Sequence, residues 1–87
     1  MQGKAIRREH PPEQCALGAA VREIRARRGM SQEELGFDAV LHRNYVGALE
    51  RGEINATFAT LLKLTIGLRV PMSELVEIYE RQLGDAE

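Results

Sequence analysis

Residues 31–52 read S-Q-E-E-L-G-F-D-A-V-L-H-R-N-Y-V-G-A-L-E-R-G, and this stretch decides the fold. It contains two short helices joined by a tight turn. Ser31 is a good N-cap and Glu34 follows three residues later, the spacing of a capping box. Met30 before the cap and Leu35 four residues past it have the spacing of a hydrophobic staple. The first helix is expected from Gln32 to about Ala39. The second is expected from about His42 to Arg51, with Gly52 as its terminal glycine.

Side-chain spacing then sets the crossing. Gly36 lets another helix approach its backbone. Leu35, Ala39, Val46 and Leu49 supply apolar contacts. Arg43, Asn44, Gly47 and Ala48 share the other side of the second helix, because positions three to four apart lie on one face. That face carries polar reach at one end and small residues at the other. A helix entering a major groove needs both.

These residues resemble the helix-turn-helix of the phage repressor and Cro-type (XRE) DNA-binding family. The matching features are the S-Q-E-E-L entry, Gly36, Val46, Leu49 and the L-E-R-G exit, and the likeness covers about Leu17 to Leu75. The closing R-N-Y-V-G-A-L-E-R-G also resembles the controller proteins of restriction-modification systems. The resemblance implies an all-α, five-helix, lambda-repressor-like DNA-binding domain with the helix-turn-helix at helices 2 and 3. It also implies that Arg25 pairs with Glu50 as a structural ion pair.

Two positions depart from the family pattern. The family's turn usually has Gly or Asn where this chain has Val40. A β-branched residue at positive φ costs about 1 kcal/mol or more, so the turn is either altered or its strain is offset by burying Val40. The family prefers Ser, Thr or Asp where His42 stands, and His is a weak N-cap.

The rest of the chain bounds the class. Eighty-seven residues suit one small domain, which leaves little room for an enclosed substrate cavity. Apolar content of 44% is enough for a core. No apolar run approaches the ~18 residues of a membrane span and no signal-peptide core is visible, so a cytoplasmic chain is expected. Cys15 is alone and reads as an inert thiol, with no intramolecular disulfide possible. Net charge is −1, but residues 1–52 carry +2 and residues 53–87 carry −3. The basic half holds the helix-turn-helix, as a DNA face opposite an acidic end requires, although a solvated charged surface looks similar.

Residues 1–13 read as a flexible basic N-terminal arm with Lys4, Arg7 and Arg8, and residues 14–83 as the domain. Helix 1 is expected over 14–28, with Leu17, Ala20, Val21 and Ile24 inward and Gly29 at its end. Thr57 caps a helix over 58–68, whose expected buried face is Phe58, Leu61, Leu62, Thr65 and Leu68. Gly67 in its interior suggests a closely packed neighbour. Pro71 starts a last helix to about Leu83. Its apolar residues cover more than one stripe, and Leu75, Ile78 and Tyr79 are expected to form a dimer interface over about residues 72–83.

No catalytic residue, metal ligand set, cofactor or small-molecule ligand is expected. His10 and His42 lack Cys or carboxylate at ligand spacing, and no phosphate loop or activated nucleophile is present. The expected function is a sequence-specific transcriptional regulator that binds a palindromic operator as a homodimer. Its partners are the major groove of double-stranded DNA and a second copy of itself, with no membrane. Arg43 suits bidentate readout of guanine, and Asn44 reads adenine or a phosphate. Tyr45 packs on the DNA backbone or props the helix from the half-buried side. Gln32 holds a phosphate at a helix N-terminus, and Arg51 adds a backbone charge contact. His42, Gly47 and Ala48 complete the expected DNA face. The alternative is a protein-interaction module with the same fold that does not bind DNA.

Overall fold

The computed structural model describes residues 10–86. Five helices and no strand occur among the described residues: α1 Pro12–Arg27, α2 Gln32–Ala39, α3 Arg43–Glu50, α4 Phe58–Leu68 and α5 Met72–Ala86. None of them is long and apolar enough to cross a membrane. Val21, Ile24, Leu35, Val46, Leu49, Leu64, Leu68 and Leu75 form the buried centre. Each helix contributes to it.

The local signals act as the sequence predicts at most helix ends. Ser31 Oγ accepts the Glu34 N–H at 3.0 Å, and Glu34 Oε1 accepts the Ser31 N–H at 2.8 Å. Both halves of the capping box are therefore made. Thr57 Oγ1 accepts the Thr60 N–H at 3.1 Å at the start of α4. An arginine closes the far end of that helix. Arg28 Nε donates to the Leu68 carbonyl at 2.6 Å, and Nη2 donates to the Arg69 carbonyl at 3.0 Å. A cation on a helix C-terminus satisfies orphan carbonyls and the dipole together.

Boundaries of the first and last helices differ from expectation. α1 begins at Pro12, because proline at the first helical position lacks only an N–H that would be unsatisfied anyway. Pro12 and Glu13 thus leave the arm expected over residues 1–13, and Lys4, Arg7 and Arg8 lie outside the described residues. Pro71 stands just before α5, its carbonyl accepting the Glu74 N–H at 3.0 Å. That helix runs on to Ala86.

The buried face of α4 is as expected at Thr65 and Leu68 but not at Phe58 and Leu62. Leu64, Thr65, Gly67 and Leu68 are buried, whereas Phe58 and Leu62 are exposed. The cause is α2. A Cβ on Gly67 would stand 2.9 Å from both Ala39 Cβ and Leu35 Cδ1. α2 therefore sits on the Gly67 side of α4 and turns Phe58, Leu62 and Ile66 to solvent.

The expected dimer face on α5 is corrected by the core. Leu75 and Ile78 are 1% and 5% exposed, so this one domain buries them by itself. They share the core cluster with Ala20 of α1, and Ala16 is buried nearby in the same helix. Those alanines leave room for α5 to pack lengthwise on α1. Polar groups reinforce that packing at the rim. Glu23 of α1 accepts from Arg81 Nη2 at 2.9 Å and from Gln82 Nε2 at 2.8 Å. Arg27 bridges to Glu74 at 3.1 Å.

Candidate nucleic-acid interface

The site is assembled on α3 and the N-terminal turn of α2. Val46 and Leu49 are in the core, which turns Arg43 and Asn44 outward into solvent. Tyr45 lies between these sides, half-buried and packed against the core. Ala48 is half-buried.

The turn between α2 and α3 keeps its left-handed geometry despite the β-branched residue. Val40 has φ 59° and ψ 48°. Its side chain is 77% exposed, so burial does not offset the strain, contrary to one of the two expected outcomes. The conformation is imposed by its neighbours. Leu41 N–H donates to the Gly36 carbonyl at 2.8 Å, and a Cβ on Gly36 would stand 2.6 Å from the Leu41 carbonyl oxygen. The tight approach of Leu41 to Gly36 holds Val40 between them in this conformation.

His42 caps α3, where a weak cap was expected. Its Nδ1 accepts the Asn44 N–H at 2.9 Å, in the place a Ser or Asp oxygen would occupy. The cap and first-turn N–H groups leave Arg43 as the first helical residue. At the other end Gly52 has φ 82°. The Glu53 N–H reaches the Ala48 carbonyl and the Gly52 N–H reaches the Leu49 carbonyl, both at 3.0 Å. This is a Schellman closure, and it ends α3 at Glu50, one residue before the expected Arg51.

A buried polar network anchors the two helices. Arg25 Nε and Nη2 donate to Glu50 Oε2 and Oε1 at 2.6 and 3.0 Å. Arg25 Nη1 donates to the Met30 carbonyl at 2.8 Å, just before α2. Glu50 is 3% exposed and raises the Arg25 guanidinium above its ordinary pKa through that hydrogen bond. Gln32 Nε2 joins the same carboxylate at 2.9 Å. One carboxylate thereby ties α1, the start of α2 and the end of α3.

The network changes the picture of the DNA face. The Gln32 side chain is committed to Glu50 and is not free for a phosphate. It also covers Gly47, which is buried: a Cβ there would meet Gln32 Oε1 and Arg51 Nη1, each at 3.3 Å. Gly47 therefore makes room for those side chains and is not on the open face. Arg51 is bonded to Glu53 at 2.7 Å, and Arg43 reaches Glu33 at 3.3 Å. The Arg51 contact holds the Glu53 carboxyl below the usual carboxylate range. Glu33 and Glu53 were not among the candidates from sequence. An acid in a first helical turn, such as Glu33, already complements the helix dipole, so local spacing gives no signal of a partner on another helix.

The chain belongs to the helix-turn-helix family. The helix-turn-helix family model matches residues 21–75. The control protein C.BamHI of Bacillus amyloliquefaciens is 38% identical over 62 residues, covering 70% of this chain and 76% of that protein. The crystal structure of the restriction-modification controller protein C.AhdI from Aeromonas hydrophila superposes with a TM-score of 0.73 at 38% identity, over 75% of this chain and 98% of that one. The controller C.Esp1396I, solved as a tetramer in complex with its natural 35 base-pair operator, matches with a TM-score of 0.77 at 27% identity, over 82% of this chain and 93% of that one.

Proposed function

We infer the function from the family to which this chain belongs, the helix-turn-helix family whose model matches residues 21–75. The chain is a sequence-specific DNA-binding transcriptional regulator and not an enzyme. It binds a palindromic operator as a homodimer in the cytoplasm. The observation that carries this reading is α3 itself. Its Val46 and Leu49 are locked in the core, while Arg43 and Asn44, at its start, are exposed to solvent. A helix held from behind with polar side chains in front is what a major groove admits.

The geometry supports the following roles. Arg43 reads guanine, and Asn44 reads adenine or a phosphate. Tyr45, Ala48 and the exposed His42 edge flank them. Gln32 serves through the backbone N–H groups of the α2 N-terminus rather than its side chain. Arg51 faces the phosphates beside Glu53. The similarity to C.BamHI and C.AhdI favours a controller of a restriction-modification operon.

A single helix-turn-helix reads too few base pairs to find one genomic site, so a second copy is required. Leu75 and Ile78 are spent in the core. Among the exposed apolar residues, Phe58, Leu62 and Ile66, which are 66%, 43% and 71% exposed, form a stripe along α4. The i, i+4, i+8 spacing spans about 12 Å along one helix face. An antiparallel second copy places Phe58 on Ile66 and Leu62 on itself across the two-fold axis, which is self-complementary. Half-exposed Tyr79 and exposed Val76 line a groove with Leu61 of the same α4.

A gel shift with random duplex across a salt series tests the reading. Salt-sensitive association is expected, because displaced counterions drive phosphate binding. No association at low salt would leave the protein-interaction module as the better account.

A further inference from the structure

We propose that Glu33 is the positioning residue that sets the specificity of Arg43, an inference that rests on the DNA-binding reading above. Glu33 lies in the first turn of α2 and Arg43 opens α3. Their side chains meet across the turn, Nη1 to Oε1 at 3.3 Å, with 61% of Arg43 and 72% of Glu33 exposed. The pair projects from the two helix starts on the face assigned to DNA, and neither side chain helps to build the core.

The backbone gives the pair a fixed origin. A Cβ on Gly36 would stand 3.3 Å from Arg43 N and 3.4 Å from Arg43 Cα. α2 is thus in close contact with the first residue of α3. Glu33 is attached one turn before Gly36 on the same helix, which brings its carboxylate beside the start of α3.

The chemistry of the guanidinium does the rest. Arginine offers five N–H donors in a planar fork. Glu33 engages Nη1 and leaves the Nε and Nη2 edge open. That edge matches the O6 and N7 acceptors of guanine. An arginine without a partner goes equally well to a phosphate, and a phosphate contact carries no sequence information. A carboxylate beside it repels phosphate and holds the fork toward the bases. Glu33 therefore weakens non-specific binding and sharpens the choice of base. An exposed ion pair contributes little to folding, so removing it probes recognition without unfolding the chain.

The test uses the full chain and three duplexes. The first is the consensus that the unmodified chain selects from a random library. The second has the Arg43-dependent guanine replaced, and the third is scrambled. Glu33→Ala is expected to tighten binding to the scrambled duplex and to reduce discrimination between the first two by about three- to tenfold. In an Arg43→Ala background the same substitution leaves discrimination unchanged. Glu33→Gln keeps an acceptor for Nη1 and restores part of the discrimination, but not the repulsion of scrambled DNA. Equal discrimination with and without Glu33, while Arg43 is present, would overturn the proposal and leave Glu33 a surface carboxylate. An unmodified chain that selects no duplex would overturn the DNA-binding reading itself, a separate and recognisable outcome.

Discussion

Arg25 grips the Glu50 carboxylate at two points, 2.6 Å from Nε and 3.0 Å from Nη2, with Glu50 almost wholly out of solvent. Among the described residues, Arg25 is the cation paired with this carboxylate. Removing the arginine strands a buried charge, and removing the glutamate strands a guanidinium that is 17% exposed. Glu50→Ala is expected to cost about 3–5 kcal/mol. Thermal unfolding monitored by circular dichroism, without DNA, checks it. An unchanged melting curve would mean that the pair carries no stability.

Val40 carries the opposite prediction. It holds φ 59° with an exposed side chain, so it has steric cost and little burial to lose. Val40→Gly removes the αL penalty and adds some unfolded-chain entropy. A net gain of about 1 kcal/mol is expected, which raises Tm by about 4–8 °C in a domain of this size. A fall in Tm would show that the valine side chain has a packing role that its exposure does not reveal.

Much of this was legible in advance, and the reasons differ by residue. Helix ends were readable because caps are local: Ser31 with Glu34 and Thr57 act within four residues of themselves. The Arg25–Glu50 pair was expected through family resemblance and not through spacing. Leu75 and Ile78 were misplaced because apolar stripes do not say which of two apolar surfaces is covered; that depends on the alanines of α1. Phe58 and Leu62 on α4 were misread for the same kind of reason: Gly67 does signal a close neighbour, but that α2 is the neighbour, and so which apolar residues stay uncovered, depends on the packing. The ties of Gln32 to Glu50 and of Arg43 to Glu33 depend on how two helices cross. That angle is set by packing across the turn.

The α4 stripe predicts an oligomer. Unmodified chain is expected to sediment as a dimer at about tens of micromolar, a range in which even a weak interface shows. Leu62→Glu places two like charges at the two-fold axis, so it should shift the protein to monomer and weaken operator binding while leaving Arg43 untouched. Tyr79→Asp is expected to act in the same direction and more weakly, because Tyr79 is half-buried in its own domain. Sedimentation of the unmodified chain as a monomer at that concentration would rule out a preformed dimer.

The α1–α5 rim predicts a pH dependence. Arg81 hydrogen bonding, followed by that of Gln82, lowers the Glu23 pKa from its ordinary 4.5. A carboxylate depressed in the folded state contributes stability above its unfolded pKa and loses it as pH falls through the folded value. Arg81→Ala should therefore lower Tm at pH 7. The gap between variant and parent should close as pH drops below the usual carboxylate range. A gap that persists in acid would assign the effect of Arg81 to packing of its aliphatic stem instead.

Selection of bound sequences from a random duplex library, run in parallel with the unmodified chain and Arg43→Ala, tests the central claim most directly. The account predicts a palindromic consensus with half-sites about one helical turn apart, 34–36 Å between recognition helices. It also predicts one guanine per half-site whose preference is lost in Arg43→Ala, at a cost of about 1–3 kcal/mol on the consensus. Failure to enrich any sequence, or an identical consensus from both proteins, would contradict the assignment of α3 and Arg43 as the reading element.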